Sequence, residues 1–464
     1  MQLRKNPPFA INESEPFNDD KLGHKPSIEL LSRLVQSAEQ PFVITVEAPW
    51  GWGKTKFIER WKAHLAKEKH ACLYFNAWEN DFVADPLVAF IGELRPIVEA
   101  IKGGTDKNSP VRQKLHRLQE LGVKLAKKSA PVLIKAAARK ALGSETVKEV
   151  SEIAAESAET TAELVSETVK RQIERYDEEK NSIADFRKTL SELAEAITSS
   201  EHSQKQVVFF VDELDRCRPD FAMTLLERIK HLFNVDRIVF VLAIDREQLR
   251  NTVRYLYGSG EHADVYLRRF VDFSFQLPKP SAQAFSELLQ QRFEMVDFFK
   301  GRNNGNLEHE RFSSAFADTA QSLNLDLRTQ EQCFTRLNVI FRIWAQNTFI
   351  PTDALCVLVG LRVGQPELFE NLRSARVPFA DHIPKKGNDN KSKEFRLVVE
   401  AIFMTTFSPV EIVRRSIAHL KNQMPTQWGD ESYAIQRKIE LLEHFGSHRK
   451  ELNRLVDFTN YVSG

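Results

Sequence analysis

The stretch from Pro41 to Leu65, PFVITVEAPWGWGKTKFIERWKAHL, limits what this chain can fold into more than any other. Phe42 to Val46 is a short, β-branched apolar run, the mark of a strand buried on both faces. Behind the turn, Phe57, Ile58, Trp61 and Leu65 recur at helical spacing. Strand, glycine turn and helix make the first half of a βαβ unit. The turn itself, Ala48-Pro49-Trp50-Gly51-Trp52-Gly53-Lys54-Thr55, matches the phosphate-binding template GxxxxGK[ST] except that Ala48 replaces the first glycine. Glycines let a backbone wrap an anion with its N–H groups pointing inward, and the helix that follows aims its positive dipole end at the same point. Pro49, Trp50, Gly51, Trp52, Gly53, Lys54, Thr55 and Lys56 are therefore the candidate cradle for a nucleotide. Lys54 would reach the β- and γ-phosphates, and the Thr55 hydroxyl would ligate Mg²⁺. Trp50 and Trp52 have the chemistry to stack on a base, although packing against neighbours is the commoner use of such side chains.

Four more strands are predicted: Ala71 to Phe75, Gln206 to Val211, Arg237 to Ala243 and, more weakly, Val271 to Leu277. Helical stretches separate most of them, which argues for an α/β fold with a parallel sheet. The third strand runs Val207-Val208-Phe209-Phe210-Val211 into Asp212-Glu213, a Walker B pattern. A buried strand delivers such acids at its C-terminal edge, where ligands of open α/β sheets bind. Asp212 is the candidate metal residue and Glu213 the candidate base that polarises the attacking water. Asp245, after the fourth strand, has two readings: a polar γ-phosphate sensor or the cap of the next helix. Positive charge must meet the transferred phosphoryl group. Arg216, Arg268, Arg269 and Arg328 are the candidates, with Arg216 and Arg269 preferred. His444 and His448 stand four apart, but no Cys or Asp lies near enough to make a convincing metal set.

Around this core the sequence divides into an N-terminal arm over 1–25, a core over 26–100 and 201–280, a helical insertion over 101–200, and a C-terminal helical region over 281–464. About 130 residues between the second and third strands exceed what one crossover needs. Residues 111–142 hold nine Lys or Arg and one Glu. Beyond Gly143-Ser144 the charge inverts, with Glu145, Glu149, Glu152, Glu156, Glu159, Glu163 and Glu167 along one helix face. The expectation is an αα-hairpin with complementary faces. In the C-terminal region, helical patterns fall at 284–300, 311–323, 328–348, 352–373 and 394–420, and the polar stretch 385–393 reads as a loop or linker.

Composition then excludes several classes. Sixty-five basic against 64 acidic residues leave a net charge of +1, so a globally basic nucleic-acid coat is ruled out, though a local patch is not. Four cysteines, none in a CxxC spacing, argue against a disulfide framework and a Cys-built zinc site. No secretory signal is visible and no run of 18 apolar residues occurs, so no membrane-spanning helix is expected. The expected compartment is a reducing cytoplasm.

Several motifs together resemble the KAP family of P-loop NTPases: PWGWGKT, then FNAW at Phe75–Trp78, VDELDRC at Val211–Cys217, VFVLAIDRE at Val239–Glu247 and YLRRFVDFSFQLP at Tyr266–Pro278. The resemblance implies a P-loop core of the additional-strand, catalytic-glutamate type, in which another strand separates the Walker B strand from the P-loop strand. It also implies a large insertion between the second and third strands. In many members that insertion crosses the membrane; here it is charged and Ala-rich. The family pattern commonly ends Walker B in two Asp, whereas Glu213 stands second here and still suits a base. Bacterial members are often linked to phage or plasmid exclusion, so host defence is an expectation by analogy. The expected activity is Mg²⁺-dependent ATP hydrolysis driving a conformational or assembly switch, with an unknown protein partner and self-association. The absence of a guanine-reading NKxD motif favours ATP. The alternatives are a nucleotide-dependent scaffold with little turnover, a nucleic-acid-stimulated ATPase using the basic stretch, and peripheral membrane attachment through that stretch.

Overall fold

The computed structural model describes residues 11–100, 106, 109–141, 161–199, 206–258, 263–302, 305–344, 348–374, 390–425 and 430–461; side chains at 127–141, 161–173, 175, 390–392, 430–431 and 458–461 are not among those described. Its centre is a five-stranded parallel sheet, β1 (Phe42–Glu47), β2 (Ala71–Asn76), β3 (Val207–Asp212), β4 (Ile238–Ile244) and β5 (Phe273–Gln276), in the order β2-β3-β4-β1-β5. β4 thus lies between β1 and β3, with Val46 opposite Ala243 and Ala243 opposite Asp212. The weak fifth strand is shorter than its apolar pattern, four residues at the sheet edge; just before it the Asp272 N–H donates to the Val43 carbonyl at 3.0 Å and the Asp272 carboxylate accepts the Val43 N–H at 2.9 Å.

Alternation along the strands sorts the core into two layers. Val207, Phe209 and Val211 of β3 and Phe240 of β4 face one way; Val208, Phe210, Val239 and Val241 face the other. The second face is covered by α1 (Lys25–Ser37) and α2 (Lys54–Lys67), through Ile28, Leu31, Phe57 and Trp61. The first face is covered by α3 (Pro86–Ala100), α6 (Pro219–Leu232) and α7 (Arg246–Tyr257). There Phe75 stacks on Phe90 at 4.4 Å between ring centroids and Phe209 on Phe240 at 4.8 Å. Burial on both faces is why the strands read as continuous apolar runs.

Between β2 and β3 run two long helices, α4 (Pro110–Ala141) and α5 (Thr161–Thr198). Their core-proximal ends, with Leu115, Leu118, Phe186 and Leu190, join the hydrophobic cluster on the first face. The expected hinge at Gly143-Ser144 and most of the acidic face lie outside the described residues. α8 (Ala263–Leu267) leads into β5, and beyond the sheet follow α9 (Ala282–Arg292), α10 (Met295–Lys300), α11 (Gly305–Ser322), α12 (Leu327–Ile343), α13 (Thr352–Gly364), α14 (Pro366–Arg373), α15 (Asn390–Phe407), α16 (Val410–Asn422), α17 (Asp430–Ser447) and α18 (Arg449–Tyr461). These helices hold a cluster of their own around Phe299, Phe312, Phe316, Phe334 and Phe341. α15 begins at Asn390, inside the stretch read as a linker, so its last four residues are the first turn of a helix; 385–389 lie outside the described residues. Among the described residues, no helix is long and apolar enough to cross a membrane, and all four cysteines are unpaired.

Candidate functional site

The turn after β1 is held at both ends. The Ala48 N–H donates to the Ile244 carbonyl at 3.2 Å, and the Trp50 N–H to Asp245 Oδ2 at 3.2 Å. Gly51 and Gly53 sit at φ of +79° and +84°, a region that side chains strain to reach. At Gly51 space matters as well: a Cβ there would stand 3.2 Å from Asp326 Cγ and 3.4 Å from Arg328 Cβ. Gly53 is the N-cap of α2, so the helix starts directly at the loop. Lys54 is buried, and its Nζ donates to the Ala48 carbonyl at 2.6 Å and to that of Pro49 at 3.3 Å. Burial lowers the Lys54 pKa, offset by Asp215, Asp245 and Asp212 and reinforced by Arg216. Lys56 pairs with Glu59 at 2.7 Å and also borders the cavity beside this turn, and Trp52 is half-buried with the Lys279 ammonium 5.7 Å over its ring.

β3 brings the acid pair to this turn. The Asp212 carboxylate accepts the Thr55 hydroxyl, the Tyr74 hydroxyl at 3.1 Å and the Glu213 N–H at 2.9 Å. Burial raises its pKa and those three donors oppose the rise. Glu213 takes φ of +58°, the left-handed region unusual for a glutamate, and caps a 3₁₀ turn over Leu214–Arg216. That turn swings Arg216 back so that Nη1 donates to Glu213 Oε1 at 2.6 Å; Asn76 Nδ2 donates to the other oxygen at 3.4 Å. The Arg216 guanidinium also lies 5.9 Å from the rings of both Trp50 and Trp78.

The FNAW and DELDRC segments are therefore one structure. The Ala77 N–H donates to the Asp212 carbonyl at 2.9 Å, Asn76 reaches Glu213, and Arg218 pairs with Asp81 at 2.9 Å. Asp215, buried beside Lys54, accepts the Trp50 indole N–H. Trp50 is thus tied by its ring nitrogen while 44% of it stays exposed. Asp245 accepts the Glu247 and Gln248 N–H groups as the N-cap of α7 while also holding Trp50, so it does a structural job at the loop. Two further pairings lock β1: Glu47, buried, accepts from Arg246 at 3.1 Å and Gln276 at 2.6 Å.

A cavity of about 990 Å³ opens at this turn, between the sheet core and the C-terminal helices. Lys54, Thr55, Asp212, Glu213 and Arg216 line it, and so does Arg328 from the first turn of α12. Arg268 and Arg269 do not: Arg268 borders a separate small cavity by Glu47, and Arg269 is exposed, its guanidinium 5.8 Å over the Tyr266 ring. His444 and His448 close the end of α17 against Phe349, and among the described residues no cluster of three or more potential metal ligands occurs. Sequence reasoning passed over Tyr74, Asp215 and the α12 residue Arg336. Tyr74 shares a strand face with Asn76 by alternation, and Asp215 lies one turn past Asp212, so both carried a local signal. Arg336 carried none, because only the docking of α12 brings it to the cavity.

The description of the KAP family P-loop domain matches residues 24–344. The phage T7 exclusion protein of Escherichia coli K12 is 22% identical over 375 residues, which are 77% of this chain and 46% of that protein. The chain thus spans about half the length of the curated relative it matches. Among solved structures, the Aeropyrum pernix ORC2 protein in its ADPNP–ADP complexes aligns with a TM-score of 0.36 and 12% identity over 97% of each chain. Drosophila ORC bound to GC-rich DNA and Cdc6 aligns at 0.32 and 12% identity, over 97% of this chain and 64% of that one. The matched span runs from α1 to the end of α12 and takes in every strand tip described above; the chain belongs to the KAP family of P-loop NTPases.

Proposed function

We propose that this chain binds ATP with Mg²⁺ at the cavity between β1, β3 and α12, and hydrolyses it slowly to switch the position of its C-terminal helices. The observation that carries the reading is the junction of Thr55 with Asp212: two hard oxygen donors, one from the first turn of α2 and one from the tip of β3, meet beside a buried lysine at a helix N-terminus. That donor set fits a small divalent cation, and Thr55 and Asp212 are the residues that would hold it. When bound, Mg²⁺ neutralises charge on the β- and γ-phosphates. The backbone of Pro49 to Thr55 would wrap the phosphates, and Lys54 would exchange its carbonyl partners for phosphate oxygens. Glu213 would orient the attacking water and take its proton. Arg328, which has no ion-pair partner among the described residues, supplies a cation from α12 and so links the phosphates to the C-terminal helices. Arg216 is its counterpart within the core, and an arginine such as Arg269 from a second copy is the self-association form of the same idea. The likeness to the phage T7 exclusion protein supports a role in excluding phage, exerted through a protein partner.

The second reading, a nucleotide-bound scaffold with little turnover, is favoured by one contact: Arg216 and Asn76 already occupy both Glu213 oxygens. Steady-state ATPase and equilibrium ATP binding on the same preparations separate the two. Lys54→Ala that binds ATP as wild type does would remove the site assignment; Glu213→Gln that binds ATP but turns over at the wild-type rate would remove only the base.

A further inference from the structure

A second cavity, of about 220 Å³, lies apart from the nucleotide site, on the first face of the sheet beside the edge strand β5. Its floor is apolar: Leu226 of α6, Leu242 of β4, Leu249 of α7 and Phe270 after α8 border it, and all four are buried. Its mouth is polar, formed by Arg246, Arg268, Asp272 and Ser274, the last three exposed. Close-packed interiors keep few voids larger than a water molecule. An apolar cavity of about 150 Å³ is enough to take up benzene. This one therefore has room for a six-membered ring and a short side chain.

The charges around the mouth say which ligands would fit. Glu47 borders the cavity as a buried carboxylate, and its acceptor sites are already used. It takes the Thr45 hydroxyl at 2.8 Å, Arg246 at 3.1 Å and Gln276 at 2.6 Å. The Asp272 carboxylate accepts the Val43 N–H at 2.9 Å. Arg246 is shared between Glu47 and Asp264, the latter at 3.2 Å. Arg268 alone of these charged groups has no ion pair among the described residues. A cationic ligand would have to displace an existing donor from an acid, whereas an anionic one meets an unused guanidinium.

The cavity also touches the supports of the P-loop turn. Ile244, whose carbonyl holds the Ala48 N–H at 3.2 Å, borders it, and so does Arg246. Between those two stands Asp245, which holds the Trp50 N–H. Glu47 is the residue directly before Ala48.

We propose that this cavity is an effector site for a small apolar monocarboxylate, its ring or chain on the floor and its carboxylate on Arg268. At the mouth the incoming carboxylate competes with Glu47 for Arg246. That loosens the end of β1, so occupancy weakens ATP binding. The weakening rests on the reading that the phosphates sit at Gly53 and Lys54; the site itself does not.

Calorimetric titration of phenylacetate into the full chain, with its neutral isostere phenylacetamide as control, tests the site. Wild type should bind phenylacetate saturably, with a dissociation constant of about 1 mM or tighter. The amide should bind about tenfold more weakly or worse. Arg268→Ala, at an exposed position, should lose about tenfold or more in phenylacetate affinity, with Arg268→Lys recovering part of it. A melting curve checks that both variants are folded. ATP titrated with and without saturating phenylacetate should lose about fivefold or more in affinity in wild type and none in Arg268→Ala, and ATP should weaken phenylacetate by the same factor. No saturable binding of phenylacetate, equal binding of the amide, unchanged binding by Arg268→Ala, or an ATP affinity indifferent to phenylacetate overturns the proposal and leaves the P-loop reading intact. ATP that binds to no form of the chain overturns the P-loop reading instead, and the carboxylate site then stands or falls on the first titration.

Discussion

The two ends of the cavity are built on different plans. At the phosphate end, most side chains sit within a few residues of a strand tip and pair with one another: Thr55 and Tyr74 on Asp212, Asn76 and Arg216 on Glu213, Asp245 on Trp50. At the far end the walls come from residues 22–24, 285–288 and 339, far apart in the chain and brought together only by the packing of the arm and the C-terminal helices. The first end is held by the sheet ladder, the second by a few ion pairs and apolar contacts. Local pairing of this kind gives fixed geometry, which chemistry needs, while assembly from separate pieces gives a surface that can open, which a switch needs.

The sharpest way to break this comparison is at the phosphate end. Lys54→Ala should abolish measurable ATP binding by calorimetry. Glu213→Gln should lower turnover by about 10²–10⁴-fold, the usual worth of a positioned base, while leaving binding in place. Binding that survives the first change with undiminished affinity would mean that the far end, not the P-loop, dominates.

The next effect is on stability. Phe209→Ala removes a ring stacked on Phe240 in the sheet core and should cost ~3–5 kcal/mol by denaturant unfolding. Phe316→Ala, in the separate cluster against Phe334, should cost a similar amount. If the two clusters unfold as one unit, both variants lower a single transition; two resolved transitions, each moved by one variant, would sharpen the division between the regions.

His24 then reports on the arm. Burial, reinforced by Arg60 and opposed by Asp20, holds its pKa at about 4, below the ordinary 6.5. The unfolded chain therefore binds the extra proton first as pH falls. The contribution of neutral His24 is full above pH 6.5 and is lost between about 6.5 and 4, by up to ~3 kcal/mol. His24→Phe should flatten that part of the stability profile; an unchanged profile would show that the arm is not coupled to folding.

The smallest effect is expected at Tyr74. Tyr74→Phe removes one donor from Asp212, worth ~1.5–3 kcal/mol for a bond to a charged group. The Mg²⁺ concentration needed for half-maximal turnover should rise about tenfold or more, and the acid limb of the pH–rate profile should move to higher pH, because Asp212 then protonates more easily. A Mg²⁺ titration and pH–rate profile that match wild type would leave Tyr74 a packing residue.

The phosphate end was legible in the sequence because its chemistry is local. GWGKT needs its glycines where the backbone turns left-handed, and VVFFVDE needs its acids where a two-faced strand stops. Arg216 also announced itself by position, while Asn76, Trp78 and Asp215 lay inside the FNAW and VDELDRC motifs with no role assigned, because their pairing across β2, β3 and the loop is not local. Asp245 could be read two ways from sequence, and its partners show it capping α7 and holding Trp50 at once. Of the arginines, Arg216 and Arg328 reach the cavity and Arg268 and Arg269 do not, a distinction no spacing rule makes.

What the sequence determined by itself is the α/β core and the chemistry at the tips of β1 and β3, since period-two burial, a glycine turn and a helix start act over a few residues. The tertiary structure alone decided that the arm lies on α2, that α12 begins against Gly51, and that the arm, α9 and α12 share one cavity with the P-loop. Those features depend on side chains meeting far along the chain, where Arg60 finds Asp19 and Asp20 some 40 residues away and Leu22 finds the C-terminal core hundreds away, and periodicity along the chain carries no record of which surfaces will meet.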